Sequence, residues 1–396
     1  MTKKIILMLT INITLHAAIL DFYKQALTTL QYNQKYELNT KANQLSQSGV
    51  YYDKYANFSL NADYSKTKAK ALTDTFDTTD IALSDTLDLF GKHSYKIDAL
   101  ALYLKSHKSL LNIQKEQLFI SLVNMIALYH KTLEQLSLYK TVFIEQKNIY
   151  DKLEKLQRKG AITSIDLLRF KNQLTSFKMR IITQENEILK MKKQLNLYAP
   201  NQQIPKLKNS KLLFSEEAFI NRNPRLKLNK IDAEKLLLLS QGLEHSHLPD
   251  ATVGAAYQQL GDPTSFGNNY SFSVGLKIPL NAGNFKEAEA LKVHALRLKS
   301  QNIDYTIQRK NEYIRRSQAY KNALKQLKVL DKNLEDYEKS EKTVKTAYLR
   351  QYVDFNTYMQ VLLQTLHIKE QIIETKYKKE LEATIVNSVA SGIIYE

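Results

Sequence analysis

The sequence predicts a mainly α-helical chain with a small β part, in which long antiparallel helices alternate with four strands. Three observations lead to this fold class. Two long stretches contain neither glycine nor proline, from Lys92 to Lys159 and from Asn284 to Ser391. Four short segments alternate apolar and polar residues with a period of two, and the second half of the chain repeats the element order of the first.

Composition limits the function classes. The 396 residues include no cysteine, which excludes a disulfide framework and a thiolate metal site. The formal net charge of +17 would, in a globular chain, suggest a nucleic acid or an anionic membrane as partner. Here Lys and Arg are interleaved with Glu and Asp along helical stretches, a pattern typical of solvated helix faces. We therefore expect no nucleic-acid partner.

The N-terminus indicates the compartment. Lys3 and Lys4 precede an apolar run that ends at Leu15 and is followed by the residues LHAA. This pattern is typical of a short secretory signal peptide, residues 1–17, cut after Ala17. No later segment supplies the roughly 20 continuous apolar residues of a membrane-spanning helix. The sequence thus predicts an exported chain without a helical membrane anchor.

The four alternating segments are residues 55–65, 80–90, 251–260 and 270–280, the third being the weakest. Each has about the 9–11 residues of a membrane-spanning strand. The apolar sets that we expect to share one face are Ala56, Phe58, Leu60, Ala62 and Tyr64; Ile81, Leu83, Leu87 and Leu89; Val253, Ala255 and Tyr257; and Tyr270, Phe272, Val274, Leu276, Ile278 and Leu280.

Alternation alone leaves two interpretations open. Two ordinary hairpins with one face on a soluble core would alternate in the same way. The opposite faces, however, carry acids and amides, as a water-filled lumen would. Four strands cannot close a barrel in lipid, because their edges would keep unpaired backbone groups. A membrane location therefore requires several chains, each contributing four strands.

Helix lengths can be compared within each half. A helix over 92–158 would be about 100 Å long, and its return helix over 162–198 is much shorter. A helix over 19–48 makes up the difference. In the second half, the length of a helix over 286–350 is likewise matched by the summed lengths of helices over 352–390 and 224–247. The agreement favours a cylinder of antiparallel helices, and two adjacent apolar stripes on the first long helix favour packing on both sides. One stripe contains Leu118, Leu122 and Met125, and the other contains Phe119, Val123, Ile126 and His130.

The two halves also correspond in sequence. The segment LDLFGKHSYKIDAL parallels IPLNAGNFKEAEAL, and RKGAITSIDLL parallels RQYVDFNTYM. We interpret this as an internal duplication, with a first structural repeat over 18–200 and a second over 201–396.

Several short motifs, distributed over both halves, resemble those of the TolC-like outer-membrane efflux proteins. They are NPRL (223–226), LDLFGK (87–92), IPLNAG (278–283), KGAITSIDLL (159–168) and HLPDATVGAAY (247–257). The resemblance extends over essentially the whole mature chain, and the order and spacing of the motifs carry it.

This resemblance implies a homotrimer that is not an enzyme and needs no cofactor. Each chain would give four strands to a 12-stranded β-barrel in outer-membrane lipid, and its helices to a periplasmic α-barrel. Such channels are passive; they dock with a periplasmic adaptor and an inner-membrane pump of RND or ABC type. They export small molecules, such as drugs, toxic compounds and metal ions, or secreted proteins.

The resemblance also implies functional positions. The strand-to-helix turns would lie at Gly91 and Gly283. The helical turns that meet the adaptor would be formed by Lys159, Gly160, Ala161, Ile162 and Thr163, and by Arg350, Gln351, Tyr352 and Val353. Gln351 departs from the family pattern, because a glycine is usual there.

Rings of acidic side chains often close the tunnel end in relatives of this family. Asp166 matches the first-repeat position, although capping its own helix is an equal alternative. Thr357 and Gln360 stand at the second-repeat positions, which indicates that a double acidic ring is absent. Asp354 is the candidate substitute.

Other function classes remain as alternatives. A non-channel periplasmic coiled-coil or surface-structural protein would not need the alternating segments, and a basic helical nucleic-acid binder conflicts with the signal peptide. His245 and His247 could chelate a metal only in an extended conformation. If lysines line the tunnel, the net positive charge predicts a preference for anions.

Overall fold

The computed structural model describes residues 18–55, 57–68, 75–160, 162–208, 211–260 and 268–396. The predicted signal peptide, residues 1–17, lies outside these ranges. The first half contains α1 (18–29), α2 (Tyr32–Tyr55), β1 (Phe58–Lys68), β2 (Thr75–Leu87), α3 (Lys92–Arg158) and α4 (Ser164–Tyr198). The second half contains α5 (Glu216–Asn221), α6 (Pro224–Glu244), β3 (Asp250–Leu260), β4 (Asn269–Lys277), α7 (Ala282–Leu349) and α8 (Phe355–Ser391).

The predicted fold class is confirmed: long helices accompany one four-stranded antiparallel sheet. Helix α3 has the predicted bounds, and α4, α7 and α8 agree within four residues. The prediction of a single helix over 19–48 is wrong. That segment forms two helices separated at Gln31, which has a left-handed φ of 56° and whose N–H bonds to the Thr28 carbonyl. No glycine or proline marks the break.

The chain divides into two compact units. One, which we call the sheet unit, consists of Gln34–Leu111 and Pro224–Thr306. The other, which we call the helical unit, consists of 18–33, Asn112–Asn223 and Ile307–Glu396. Each unit takes segments from both halves of the sequence, so neither unit coincides with a proposed repeat.

The sheet unit places its strands in the order β1-β2-β3-β4, all antiparallel. Its helices follow the same order as the strands to which they connect. Asn43 of α2 donates to the Leu100 carbonyl of α3 at 3.0 Å, and Ser106 of α3 donates to Asp232 of α6 at 2.8 Å. Ser240 of α6 donates to the Ala288 carbonyl of α7 at 2.9 Å. The outermost elements are therefore α2 with β1 and α7 with β4.

The four long helices of the helical unit lie in the order α4, α3, α8, α7. Lys140 of α3 pairs with Glu185 of α4 at 2.6 Å, and Lys376 of α8 pairs with Glu134 of α3 at 3.0 Å. Arg316 of α7 pairs with Glu382 of α8 at 2.8 Å. The outermost long helices are therefore α4 and α7.

Two apolar clusters stabilise the helical unit. The larger joins α1, α3, α5 and α8, and includes the predicted second stripe of α3, whose apolar members are fully buried. His130 on that stripe is buried and lies 2.9 Å from the Pro205 carbonyl. The smaller cluster lies between the segments of α3, α4, α7 and α8 that adjoin the two helical turns.

A buried ion-pair network accompanies the larger cluster. The Arg309 guanidinium pairs with Glu116 at 2.6 Å and with Glu312 at 2.9 Å, and its plane lies 4.0 Å from the Phe219 ring centroid. Arg316 also pairs with Glu312, at 3.0 Å. Burial raises the pKa of Glu312, but the two guanidinium groups lower it further, below its usual range. Glu312 therefore stabilises the fold above its unfolded pKa, and loses that contribution as pH falls through its folded pKa.

Replacing Arg309 tests this network. Glu116 is only 8% exposed, and Arg309→Ala removes its guanidinium partner, so we expect the free energy of unfolding to fall by about 3–5 kcal/mol. The control is Lys310→Ala, which removes the neighbouring exposed pair with Glu216 at 3.4 Å and should cost under about 1 kcal/mol. Denaturant unfolding followed by circular dichroism measures both. Equal losses for the two variants would show that the network contributes nothing specific.

Candidate functional site

One face of the sheet is apolar on all four strands. The register aligns Leu60 with Leu83, Leu83 with Ala255 and Ala255 with Phe272. Those members of the predicted apolar sets that lie in the strands therefore share one face. Most of their larger side chains are exposed, Phe272 to 88%, whereas Leu87 and Tyr257 are half-buried. Leu89, Ile278 and Leu280 lie beyond the strand ends, and Ala56 lies outside the described residues. The polar exceptions on this face include Asp85, opposite Phe58 and Val253, and, towards one end of the sheet, Thr79, Gln259 and the Lys66–Asp77 pair. An exposed apolar patch of this size is typical of a surface that another molecule or lipid covers.

The other face is polar and its side chains are small. One row across the sheet contains Ser59, Ser84, Gly254 and Ser273, and the next contains Asn61, Ala82, Ala256 and Ser271. A third contains Asp63, Asp80, Gln258 and Asn269. The two faces thus separate apolar from polar side chains over the length of the strands.

The sheet has two open edges. Within the described residues, β1 pairs only with β2, and β4 pairs only with β3. The outer backbone N–H and C=O groups of both strands therefore lack a partner strand.

The outermost helices carry exposed apolar stripes at near-heptad spacing. Those of α2 are Leu38, Leu45 and Tyr52; those of α4 are Ile165, Leu168, Met179, Ile182 and Leu189; those of α7 are Val293, Leu296, Ile303, Ile307, Ile314 and Leu324. On α4 the buried side chains, such as Phe170 and Phe177, lie on the opposite side of the helix. The stripes are thus unoccupied packing surfaces on helices at the ends of each row.

The strand-to-helix junctions differ from each other. Gly91 has a φ of 70° and directly precedes α3. Asp88, which the alternation assigned to the polar strand face, instead accepts from the backbone N–H of His93 at 2.9 Å. Burial raises the pKa of Asp88, but hydrogen bonds from His93 and from the N–H of Lys92 lower it below its usual range. Sequence reasoning missed this cap.

Gly283 lies within the first turn of α7, outside the left-handed region. Its N–H donates to the side chain of Asn281 at 3.0 Å. Asn281 therefore caps the helix, and α7 begins about four residues earlier than expected. Asparagine before a helical pattern is a usual start signal, so this cap could have been predicted.

At the first helical turn Gly160 has a φ of 74°, and its N–H donates to the Gln157 carbonyl at 2.8 Å. Lys159 is exposed and Ile162 is half-buried, whereas Ala161 lies outside the described residues. The Thr163 hydroxyl caps α4 by accepting from the Asp166 N–H at 3.1 Å, and it donates to the Asp166 carboxylate at 2.8 Å. Asp166 thus takes part in the N-terminal cap of α4.

The second turn uses a different residue for the same geometry. Gln351 has a φ of 65°, and its N–H donates to the Tyr348 carbonyl at 2.9 Å. The Tyr352 N–H donates to the Ala347 carbonyl at 2.9 Å, which completes a Schellman motif. The shape of the turn is therefore retained without glycine. Arg350 is exposed, Tyr352 is 78% exposed, and Val353 is half-buried.

Asp354 caps α8, because its carboxylate accepts from the Thr357 N–H at 2.7 Å. Hydrogen bonds from Thr357 hold the pKa of this exposed carboxyl below its usual range. Both predicted aperture residues, Asp166 and Asp354, therefore have capping roles. Their arrangement around an aperture stays a prediction.

An aromatic stack, which sequence reasoning missed, lies next to the two helical turns. The Tyr348 and Tyr358 rings are nearly parallel with centroids 4.9 Å apart, and Phe170 of α4 lies 6.5 Å from Tyr358. The Tyr358 hydroxyl donates to Gln146 of α3 at 2.9 Å. Burial and the nearby Asp166 raise the pKa of Tyr348 to about 12. The stack connects the α3–α4 hairpin to the α7–α8 hairpin.

The described residues contain no group of three metal-ligating His, Cys, Asp or Glu side chains. His245 and His247 form a 3₁₀ turn instead of an extended segment, and stack on Tyr95 and Phe285. In the part of the chain that the structure describes, no helix combines the length and the apolar character needed to cross a membrane.

Comparison with solved structures gives the fold a precedent. The CmeC outer membrane channel of Campylobacter jejuni matches with a TM-score of 0.77 and 14% identity, over 95% of this chain and 86% of that chain. VceC, an outer membrane protein of Vibrio cholerae, matches with a TM-score of 0.75 and 13% identity, over 94% and 96%. The chain has the fold of an outer-membrane channel.

The open state of the Neisseria gonorrhoeae MtrE outer membrane channel is also similar, with a TM-score of 0.71 and 13% identity over 95% of this chain and 89% of that chain. No family model and no curated protein matches the sequence. Because the identities are low, these likenesses establish the fold. At that level the predicted resemblance is confirmed.

The left-handed glycine at the first turn gives a direct test. Gly160→Ala should lower the free energy of unfolding by about 1–2 kcal/mol, because a Cβ disfavours this conformation. A Cβ at Gly160 would meet no atom within 4 Å, so the effect is purely conformational. The control is Gly49→Ala inside α2, also without contacts, which should stabilise by about 0.5–1 kcal/mol. Changes of the same sign in denaturant unfolding would contradict the assignment.

Proposed function

We propose that the protein is a passive channel of the outer membrane, assembled from several copies of this chain. The observation that carries this proposal is the sheet register, which collects the apolar side chains of four strands on one exposed face. In a channel that face contacts lipid, and the polar face lines a water-filled lumen. The fold shared with outer-membrane channels supports the same function.

The open edges support a ring of copies. In lipid the outer backbone groups of β1 and β4 need partners, and β4 of one copy can supply them to β1 of the next. The two flanks of a chain are different, so such contacts are head-to-tail and close into a ring. Three copies would form a 12-stranded barrel, and we propose this homotrimer.

The exposed helical stripes support the same contacts. The α2 stripe lies at the β1 edge of the sheet unit, and the α4 stripe lies at one end of the helix row of the helical unit. Within each unit, α7 lies at the opposite end of the helix row. In a ring, α7 of one copy packs against α2 and α4 of its neighbour. Burial of these side chains supplies association energy that the isolated chain leaves unused.

We propose that the two helical turns dock a periplasmic adaptor and, through it, an inner-membrane pump of RND or ABC type. The exposed side chains of Lys159, Arg350 and Tyr352 suit this role. Asp166 and Asp354 would line the aperture at the tunnel end. The helices would then lie in the periplasm, and small molecules or secreted proteins would be exported through the duct.

The α4 stripe allows a test of assembly. Ile182→Asp places a charge in the proposed contact between copies, and should weaken assembly at least about tenfold, because an unpaired charge is costly to bury. Ser176→Asp is the control, since Ser176 is exposed on the same helix but off the stripe. Native mass spectrometry of the detergent-solubilised protein reports the oligomer. Equal behaviour of the two variants would exclude the stripe from the interface.

Conduction tests the proposed function itself. The purified protein, shown to be folded, should form crosslinkable trimers that conduct ions in planar bilayers. A folded monomer or dimer that does not conduct would mean that the sheet is not part of a channel wall. That result would instead favour a structural helical protein.

A further inference from the structure

Two aspartates occupy the same level of the polar sheet face. Asp63 of β1 stands directly opposite Asp80 of β2, and Asp80 stands opposite Gln258 of β3, which stands opposite Asn269 of β4. This row, which we call the carboxylate row, carries a side-chain oxygen on every strand. The other two rows described above contain only Ser, Gly, Ala and Asn.

The pairing of the two aspartates is unfavourable for the sheet alone. Like charges directly opposite each other destabilise an antiparallel pair. Among the residues that the structure describes, neither carboxylate has an ion-pair partner. The other acidic residue on this face, Asp250, is compensated by Lys92 at 2.8 Å and stands opposite Lys277. The negative charge of the carboxylate row is therefore uncompensated within one chain.

The basic residues of the strands do not offset this charge. Lys66 lies on the apolar face, where it pairs with Asp77 at 3.5 Å. The four strands together carry five aspartates and three lysines, although the whole chain has a net charge of +17. The excess positive charge thus lies outside the sheet.

We propose that Asp63 and Asp80 make the channel prefer cations over anions. The inference rests on the proposed function, in which the polar face lines the lumen. Each copy in the ring then contributes two carboxylates at one level of the barrel. Rings of aspartate or glutamate select cations in channels, because they raise the local cation concentration and repel anions. The prediction is opposite to the anion preference suggested by net charge alone.

In this proposal the row acts on ions in passage. No trio of metal ligands occurs among the described residues, and amide side chains occupy the other two strands of the row. The expected transported ions are therefore mobile monovalent cations and cationic organic molecules.

Reversal potentials in a KCl gradient across planar bilayers test the inference. The wild-type trimer should be cation-preferring, and the double variant Asp63→Asn, Asp80→Asn should lose at least about threefold in the potassium-to-chloride permeability ratio. Each single variant should lower the permeability ratio by a smaller factor. The control is Asp77→Asn with Asp85→Asn, which removes two charges from the opposite face and should leave the ratio unchanged. Raising the salt to about 1 M should reduce the wild-type preference by screening.

Three results would overturn the inference: an anion-preferring wild type, an unchanged ratio in the double variant, or loss of the preference only in Asp166→Asn. The last result would assign selectivity to the predicted aperture. A folded protein that does not conduct overturns the proposed function, and this inference with it. Conducting trimers with an unchanged ratio overturn only the inference.

Discussion

The unpaired backbone edges of β1 and β4 are the constraint on which the rest of the molecule depends. Each edge strand has a partner on one side only, and in lipid an unpaired N–H or C=O group costs several kcal/mol. The apolar sheet face is stable in contact with lipid. For a single chain, however, the unpaired strand edges make insertion of the sheet into lipid unfavourable. Both demands are met when the edges of neighbouring copies pair. The proposed assembly of several copies follows from this constraint.

The outermost helices, like the edge strands, have surfaces that lack a partner within one chain. In each unit the outermost helices carry apolar stripes on the side away from their own core, whereas the inner helices α3 and α8 bury side chains on both flanks. Specific polar links hold the inner helices together, such as Arg309 with Glu116 and Tyr358 with Gln146. The exposed apolar stripes on the outermost helices are the surfaces that a neighbouring copy would cover in the proposed assembly.

The sequence predicted the features that depend on local pattern. Period-two alternation identified the faces of the four strands, and the register then aligned them without a slip. The bounds of α3 followed from the glycines at 91 and 160, which end the breaker-free stretch at each side. The break at Gln31 could not be predicted, because a left-handed glutamine has no sequence signal comparable to glycine.

Long-range features were also beyond sequence reasoning. The Arg309–Glu116 and Tyr358–Gln146 pairs join residues about 200 positions apart, and only the packed helices bring them together. For the turns, the sequence placed Gly160 and Gln351 at the two helical turns, and the structure shows that both residues are left-handed. It also left open whether Asp166 caps its helix, and the structure shows the capping bond. Contact with an adaptor remains a prediction, since it depends on a partner.

The central claim is that one face of the sheet contacts lipid and the other contacts water. Electron paramagnetic resonance measures this most directly, with a spin label attached to single cysteines at consecutive β4 positions from Tyr270 to Leu276. The chain has no native cysteine, so each label is unique. In membranes, accessibility to oxygen and to a water-soluble nickel complex should alternate with a period of two, with even-numbered positions in lipid. Uniform access of the nickel complex to all seven positions would contradict the account.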